Sequence, residues 1–234
     1  SRSLLMKTFC VLYSNGLSGT WLTWFINQHK GFPNRLELDV EYSDPTHPER
    51  VTDYTTQAKW WYGDTTWEEF VNHLEEQNNH HNKLPVSNFS EVSWEFDNIA
   101  YKVQPYHEFY GPDMTGEDSQ KAAEHVLAES NCTQVIVPVC NDCMYDQIYN
   151  RLVAIRPHIT IDKDPKMWYN KHLYEYINNT LDVDVQQIDI GLILSGDPTE
   201  YYTLRNCLGV PVLDNWRELA NECKAQVYDN YNEI

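Results

Sequence analysis

Short apolar runs alternate with amphipathic segments along most of the chain. Four runs have the length and continuous hydrophobicity of buried strands in a parallel sheet, and they lie at residues 7–14, 99–104, 134–139 and 188–194. Segments with helical spacing of apolar residues lie at residues 20–29, 65–74, 117–128, 144–155, 165–179, 200–207 and 214–228. Strands that alternate with helices predict an α/β fold with a mainly parallel central sheet flanked by helices.

The chain has the size of one domain. Its 234 residues, 41% of them hydrophobic, suffice for one sizeable core, and residues 1–234 are therefore expected to form a single α/β domain. Residues 34–62 are polar and contain proline, and we interpret them as an insertion or lid. Residues 1–5 are interpreted as a cloning remnant that precedes a native start at Met6.

Charge and hydropathy narrow the classes of function. The formal net charge of −18 offers no long basic surface that could follow a phosphate backbone, so nucleic acid is not an expected partner. An anionic ligand would approach against this overall charge, and its site would need locally concentrated cations and N–H donors. No apolar run has the length of a membrane span and no signal-peptide pattern is present, which predicts a soluble, cytoplasmic protein.

The turn between the first strand and the first helix is the most informative local feature. Asn15-Gly-Leu-Ser-Gly-Thr20 connects a buried strand to a helix. At such a junction several backbone N–H groups lie at the start of the helix, which is the positive end of its dipole. Gly16 and Gly19 let the backbone approach an anion, while Ser18 and Thr20 add hydroxyl donors. The turn therefore predicts a phosphate or sulfate site, and a capped turn without a ligand is the alternative.

Two other groups of side chains suggest chemistry at first sight. Cys140-Asn-Asp-Cys143 is a lone CxxC, for which two ordinary thiols at a strand-to-helix junction are favoured over zinc binding or thiol redox chemistry. Asn78-Asn-His-His-Asn82 is interpreted as a solvated loop, because adjacent histidines diverge and no carboxylate follows at helical spacing. His29 is expected to interact with the C-terminal dipole of the first helix.

Three segments, taken in order, resemble the sulfotransferase family. Leu17-Ser-Gly-Thr-Trp-Leu22 is similar to the phosphosulfate loop of that family, and Tyr101-Lys-Val-Gln-Pro105 to its second-strand Lys-Thr-His-x-Pro segment. Leu194-Ser-Gly-Asp-Pro-Thr-Glu200, followed by Leu208-Gly-Val-Pro211, resembles a late strand and helix end. The resemblance implies a three-layer P-loop-like fold and transfer of a sulfuryl group from 3′-phosphoadenosine-5′-phosphosulfate to a hydroxyl or amine of a small-molecule or glycan acceptor, without a metal ion.

The resemblance also implies roles for particular residues. Lys102 would stabilise the transferring group, His107 would act as general base, and Arg151 would reach the 3′-phosphate of the nucleotide. The predicted nucleotide-binding residues of the first loop and helix are Gly16, Leu17, Ser18, Gly19, Thr20 and Trp21.

Several positions depart from the family pattern. Leu17 replaces a cation, Gln104 replaces the base histidine, and Cys140 and Ile148 stand where the family holds the 3′-phosphate with arginine and serine. These departures keep open a non-catalytic, sulfotransferase-like binding module. A small P-loop kinase is a further alternative, although the loop lacks the Gly-Lys-(Ser/Thr) ending that contacts the outer phosphates.

Overall fold

The computed structural model describes residues 7–13, 17–32, 98–103, 132–141, 143–155 and 183–229. Its strands are β1 (Lys7–Leu12), β2 (Asn98–Val103), β3 (Gln134–Val139) and β4 (Asp184–Asp189). Its helices are α1 (Gly19–Asn27), α2 (Tyr145–Ile155), α3 (Ile190–Leu194), α4 (Pro198–Leu208) and α5 (Trp216–Val227). The predicted α/β character with a parallel sheet is confirmed for these residues. The segments predicted at 1–5, 34–62, 65–74, 117–128 and 165–179 lie outside them.

All four strands belong to one parallel sheet with the order β2-β1-β3-β4. β1 pairs with β2 from Lys7 opposite Asn98, and with β3 from Phe9 opposite Gln134. The chain thus places β2 on one side of β1 and β3 on the other. In open parallel sheets ligands bind beyond the carboxyl ends of the strands where the order reverses, which here is between β1 and β3.

The central position of β1 and β3 explains their composition. Residues 8–12 of β1 and residues 135–139 of β3 are buried, as strands covered on both faces must be. β4 lies at the end of the described sheet, and its first four residues are exposed or half-buried. Continuous apolar runs were therefore a good predictor for the two central strands.

Helix α1 packs against β2 through a buried amide. Asn27 Nδ2 donates to the Ala100 carbonyl over 2.9 Å, and the Ala100 N–H donates to Asn27 Oδ1 over 3.0 Å. Asn27 is fully buried, so its amide satisfies two backbone groups that would otherwise lack partners in the core. In the same helix, Trp21 stacks on Phe25 with ring centroids 4.7 Å apart.

The prediction of a strand at residues 188–194 is wrong. β4 ends at Asp189, and residues 190–194 form the short helix α3. The Asp189 carboxylate accepts a hydrogen bond from the Leu192 N–H over 3.1 Å, which caps the helix at that point. A short run of isoleucine and leucine fits a buried helix as well as a buried strand, so hydrophobicity alone did not distinguish them.

Other boundaries differ from the sequence expectation by a few residues. α4 begins at Pro198, where Asp197 caps it by accepting from the Thr199 and Glu200 N–H groups over 2.8 and 2.9 Å. It ends at Leu208 and is followed by Gly209, whose φ of 67° is the left-handed conformation that commonly closes a helix. Within the described part of the chain, no helix combines the length and the apolar character needed to cross a membrane.

Candidate functional site

The carboxyl ends of β1 and β3 bring two connections side by side. The connection after β1 includes Tyr13 and, beyond residues 14–16, Leu17 and Ser18. The connection after β3 begins with Cys140 and Asn141. Because β1 and β3 are parallel neighbours, these segments leave the sheet at the same edge. This edge is the location expected for a ligand site in a parallel sheet.

Ser18 is the N-cap of α1 but does not cap it with its side chain. The residue adopts a left-handed conformation with φ 49°, and its hydroxyl makes no hydrogen bond to the first turn of α1. Instead the Ser18 hydroxyl bonds to the Tyr228 hydroxyl, which comes from the end of α5. The first-turn N–H groups of α1 therefore receive no cap from Ser18.

Carboxylates accompany every described helix except α1. α2 carries Asp146 in its first turn and α5 carries Glu218. α3 and α4 are capped by Asp189 and Asp197. The first turn of α1 has no acidic residue, although the whole chain has a net charge of −18. Among the described helices, α1 is thus the one whose positive dipole end has no acidic side chain at its N-cap or in its first turn.

Packing alone requires a glycine at position 19. A Cβ atom added at Gly19 would collide with the ring of Tyr13, which lies directly against the glycine. The Thr23 hydroxyl, one turn along α1, donates to the Gly19 carbonyl over 2.7 Å. Both faces of this backbone position are therefore occupied by protein groups, and substitutions at Gly19 or Thr23 would disturb the loop in the absence of any anion.

Arg151 is brought to the same place by α2. Only 3% of its surface is exposed, and its guanidinium carbon lies 5.4 Å from the centroid of the Tyr228 ring. Tyr228 thus contacts Ser18 through its hydroxyl and Arg151 through its ring face. A guanidinium over an aromatic face is a favourable cation–π arrangement, and it holds a cation next to the β1–α1 connection.

The other predicted site residues are distributed as follows. The side chains of Leu17 and Trp21 are buried among the apolar side chains of the core, so Leu17 would bind an anion only through its backbone.

Lys102 lies in β2 opposite Val11, but its side chain is outside the described residues, as is that of Thr20 in α1. Gly16 and His107 lie outside the described residues altogether. Ile148 is a fully buried core residue of α2.

A second polar cluster holds the connection after β3 against β4. Asp189 Oδ2 accepts from the Asn141 backbone N–H over 3.3 Å and from Asn141 Nδ2 over 2.9 Å. Glu200 Oε1 accepts from the Asp189 N–H over 2.6 Å. Burial raises the pKa of the Glu200 carboxyl, and the neighbouring negative charges of Asp189 and Asp197 raise it further. These hydrogen bonds hold the backbone in place at Asn141 and at Asp189.

The two cysteines of the CxxC lie within this fixed connection. The Cys140 thiol donates to the Cys143 carbonyl over 3.3 Å, and Cys143 Sγ lies 3.1 Å from Ser195 Oγ. Neither residue is in a disulfide. A Cβ atom added at Gly191 would collide with the Cys143 carbonyl, so the start of α3 packs directly on this connection.

His29 follows α1, at the end where the sequence placed it, but it is not a charged partner of the helix dipole. It is buried, and desolvation lowers its pKa below the usual 6.5. Its Nδ1 lies 3.0 Å from the Ile26 carbonyl and its Nε2 lies 3.1 Å from the Tyr201 hydroxyl. These contacts fit a neutral imidazole that donates from Nδ1 and accepts at Nε2.

Comparison with known proteins finds no match, either to a family model, to a curated protein or to a solved structure. Within the described ranges, no group of three or more His, Cys, Asp or Glu side chains is placed to hold a metal ion.

Sequence reasoning missed the tyrosines of this edge. Tyr228 is 210 residues from Ser18, and no local pattern links the two positions. Tyr13 follows β1, and its sequence context gave no signal of its contact with Gly19. Asp189 did carry a signal, because an aspartate directly before an apolar run is a typical helix N-cap.

Proposed function

We propose that the chain is a sulfotransferase that binds 3′-phosphoadenosine-5′-phosphosulfate at the β1–α1 connection, in a P-loop-like variant of the α/β fold. The main support for this proposal is the environment of the N-terminus of α1. This N-terminus lies at the edge of the sheet where ligands bind in parallel folds, its first-turn N–H groups receive no side-chain cap from Ser18, and its first turn has no carboxylate.

Arg151 supports the same site with a positive charge. A nucleotide that carries phosphate and sulfate groups must overcome the repulsion of a chain with net charge −18, so a cation held close to the loop is needed. The guanidinium can donate two parallel hydrogen bonds to a phosphate, and the Tyr228 ring restricts its position. In this proposal Arg151 holds the 3′-phosphate.

Sulfuryl transfer places negative charge on the bridging oxygen of the donor as the bond to sulfur breaks. Backbone N–H groups and cations that are already in position stabilise this charge. In our proposal the first-turn N–H groups of α1 and Lys102 take that role, and His107 removes the proton of the acceptor hydroxyl or amine.

The donor site is tested by measuring the binding of 3′-phosphoadenosine-5′-phosphate by calorimetry. Arg151→Met should weaken binding by roughly 10- to 150-fold, which corresponds to the loss of a charged hydrogen bond of about 1.5–3 kcal/mol. Arg217→Met is the matched control, because Arg217 also lies over an aromatic ring, 4.7 Å from the centroid of Trp216, but is exposed on α5. Equal affinities for both variants and the parent would overturn the assignment of Arg151.

A non-catalytic binding module is the second candidate, and the Ser18–Tyr228 contact favours it. This contact occupies a hydroxyl that a working donor loop would direct at the phosphosulfate. The two candidates differ in turnover. Release of 3′-phosphoadenosine-5′-phosphate from the donor in the presence of phenol, amine and sugar acceptors supports the enzyme, whereas tight donor binding without release supports the module.

A further inference from the structure

We propose that Cys140 and Cys143 form a reversible disulfide, which makes the carboxyl end of β3 a site of thiol–disulfide exchange with low-molecular-weight disulfides. The inference does not depend on the proposed sulfotransferase function. It rests on the spacing of the two cysteines, on the contacts of their sulfur atoms and on the way the surrounding backbone is held.

The spacing and the position of the pair suit a disulfide. The cysteines are three residues apart, between the last residue of β3 and the first turn of α2. The Cys140 sulfur already lies 3.3 Å from the Cys143 carbonyl oxygen, so it is directed at the residue to which it would bond. A turn of this length can bring two Cα atoms within the range of about 4.4–6.8 Å that disulfides require. Redox-active CxxC pairs occur at such strand-to-helix junctions.

The backbone around the pair is fixed by contacts that do not involve sulfur. Asn141 is bonded through its N–H and its amide to Asp189, and Gly191 packs on the Cys143 carbonyl. Neighbouring elements thus hold the backbone on both sides of the pair in the reduced state. Formation of the disulfide requires the Cys143 sulfur to turn away from Ser195.

The two cysteines differ in access, which assigns their roles. Cys143 is half-buried and its sulfur contacts the exposed Ser195, whereas only 3% of Cys140 is exposed. Cys143 is therefore the thiol that an external disulfide reaches first. The Ser195 hydroxyl lies within hydrogen-bond distance of the Cys143 sulfur and can donate to it, which makes Ser195 a positioning residue.

The chemistry balances with one external disulfide, RSSR. The Cys143 thiolate attacks one sulfur of RSSR, the S–S bond breaks, and RS⁻ leaves with the proton that Cys143 had lost. The Cys140 thiolate then attacks Cys143 Sγ, the mixed disulfide breaks, and the second RS⁻ takes the proton of Cys140. The protein loses two hydrogen atoms and RSSR becomes two RSH.

The test exposes the native protein to oxidised glutathione, quenches it with acid and cleaves it before aspartate residues. Cleavage before Asp142 separates Cys143 from the fragment that carries both Cys132 and Cys140. We expect the two fragments to remain linked after oxidation and to separate after treatment with dithiothreitol. Fragments that stay unlinked across the whole range from reduced to oxidised glutathione would overturn the proposal.

Variants assign the link to the two residues. Cys132→Ser, a partly buried cysteine before the start of β3, is the matched control and should retain the link. Cys140→Ser and Cys140→Ala should stop the reaction at a glutathione adduct on Cys143. Ser195→Ala should slow adduct formation by roughly 2- to 12-fold through the loss of a hydrogen bond to the thiolate. A link that persists in both Cys140 variants would show that Cys132 is the partner, and the proposal would fail.

Discussion

At the scale of single residues, a buried chain of hydrogen bonds connects three parts of the fold. The Leu213 N–H donates to the Tyr201 hydroxyl over 2.7 Å, and this hydroxyl lies 3.1 Å from His29 Nε2. The imidazole in turn donates from Nδ1 to the end of α1. Burial raises the pKa of the Tyr201 phenol and lowers the pKa of the His29 imidazole, so both groups stay neutral.

This chain predicts that acid destabilises the protein through His29. The pKa of His29 in the folded state lies below its ordinary value of 6.5, so the unfolded state binds a proton more readily. The contribution of His29 to stability is complete above about pH 6.5 and is lost as the pH falls below that value. Urea unfolding between pH 7.5 and pH 5 should show a decrease from His29 that is bounded by about 1.4 kcal/mol per pH unit, the limit for one proton.

His29→Gln provides the comparison for this pH dependence. Glutamine keeps a donor and an acceptor but does not titrate, so the variant should be less stable at pH 7.5 and lose less stability toward pH 5. Parallel pH profiles for the variant and the parent would show that another group controls the acid response.

The contacts of Ser18 and Gly19 show how much of the candidate site the sequence could predict. The loop after the first strand was recognised as a candidate anion site, and Ser18 and Gly19 do lie at the carboxyl edge of the sheet. Their contacts with Tyr228 and Tyr13 could not be foreseen, because they depend on how α5 and the end of β1 fold back over the loop. Local patterns identify such a connection, whereas long-range packing decides what surrounds it.

At the scale of elements, the central strands were the most predictable part of the molecule. β3 was predicted with its observed bounds, because a buried parallel strand between two neighbours has to be continuously apolar. The error fell on residues 190–194, where the run of isoleucine and leucine suggested a strand and the Asp189 cap produced a helix. The apolar pattern of residues 190–194 fits both structures, and the cap from Asp189 distinguishes the helix from the strand.

The capping role of Asp189 predicts a large effect of its removal. Asp189→Ala removes the cap of α3 at the half-buried Leu192 and both hydrogen bonds from the exposed Asn141 to a buried carboxylate. We expect the free energy of unfolding to fall by about 2–4 kcal/mol, the sum of a lost cap and of two lost hydrogen bonds to a charged group. Thermal or urea unfolding measures the change.

Asp197→Ala is the control for this prediction. Asp197 caps α4 with two hydrogen bonds but is more exposed, so water can replace the lost carboxylate. Its loss should cost about 1 kcal/mol, the usual value for an N-cap. Equal losses in the two variants would mean that the contacts of Asp189 with Asn141 contribute nothing to stability.

At the scale of the whole molecule, the net charge of −18 affects both stability and ligand binding. Asp and Glu number 35 against 17 Lys and Arg, so the folded chain holds many like charges close together. Unfolding moves these charges apart, and their mutual repulsion therefore opposes the compact state. The same field repels an anionic nucleotide, which makes the α1 N-terminus and Arg151 necessary attractions in the proposed site.

Salt should consequently stabilise the protein. Raising sodium chloride from 0.1 M to 1 M shortens the Debye length from about 10 Å to about 3 Å and screens the repulsion. We expect the urea midpoint at pH 7.5 to rise with salt. At pH 5.5 most of the 9 histidines are protonated and the net charge falls toward half its value, so the same salt range should have a clearly smaller effect. A midpoint that falls with salt, or one that rises equally at both pH values, would show that specific ion pairs or ion exclusion, and not net repulsion, govern the response.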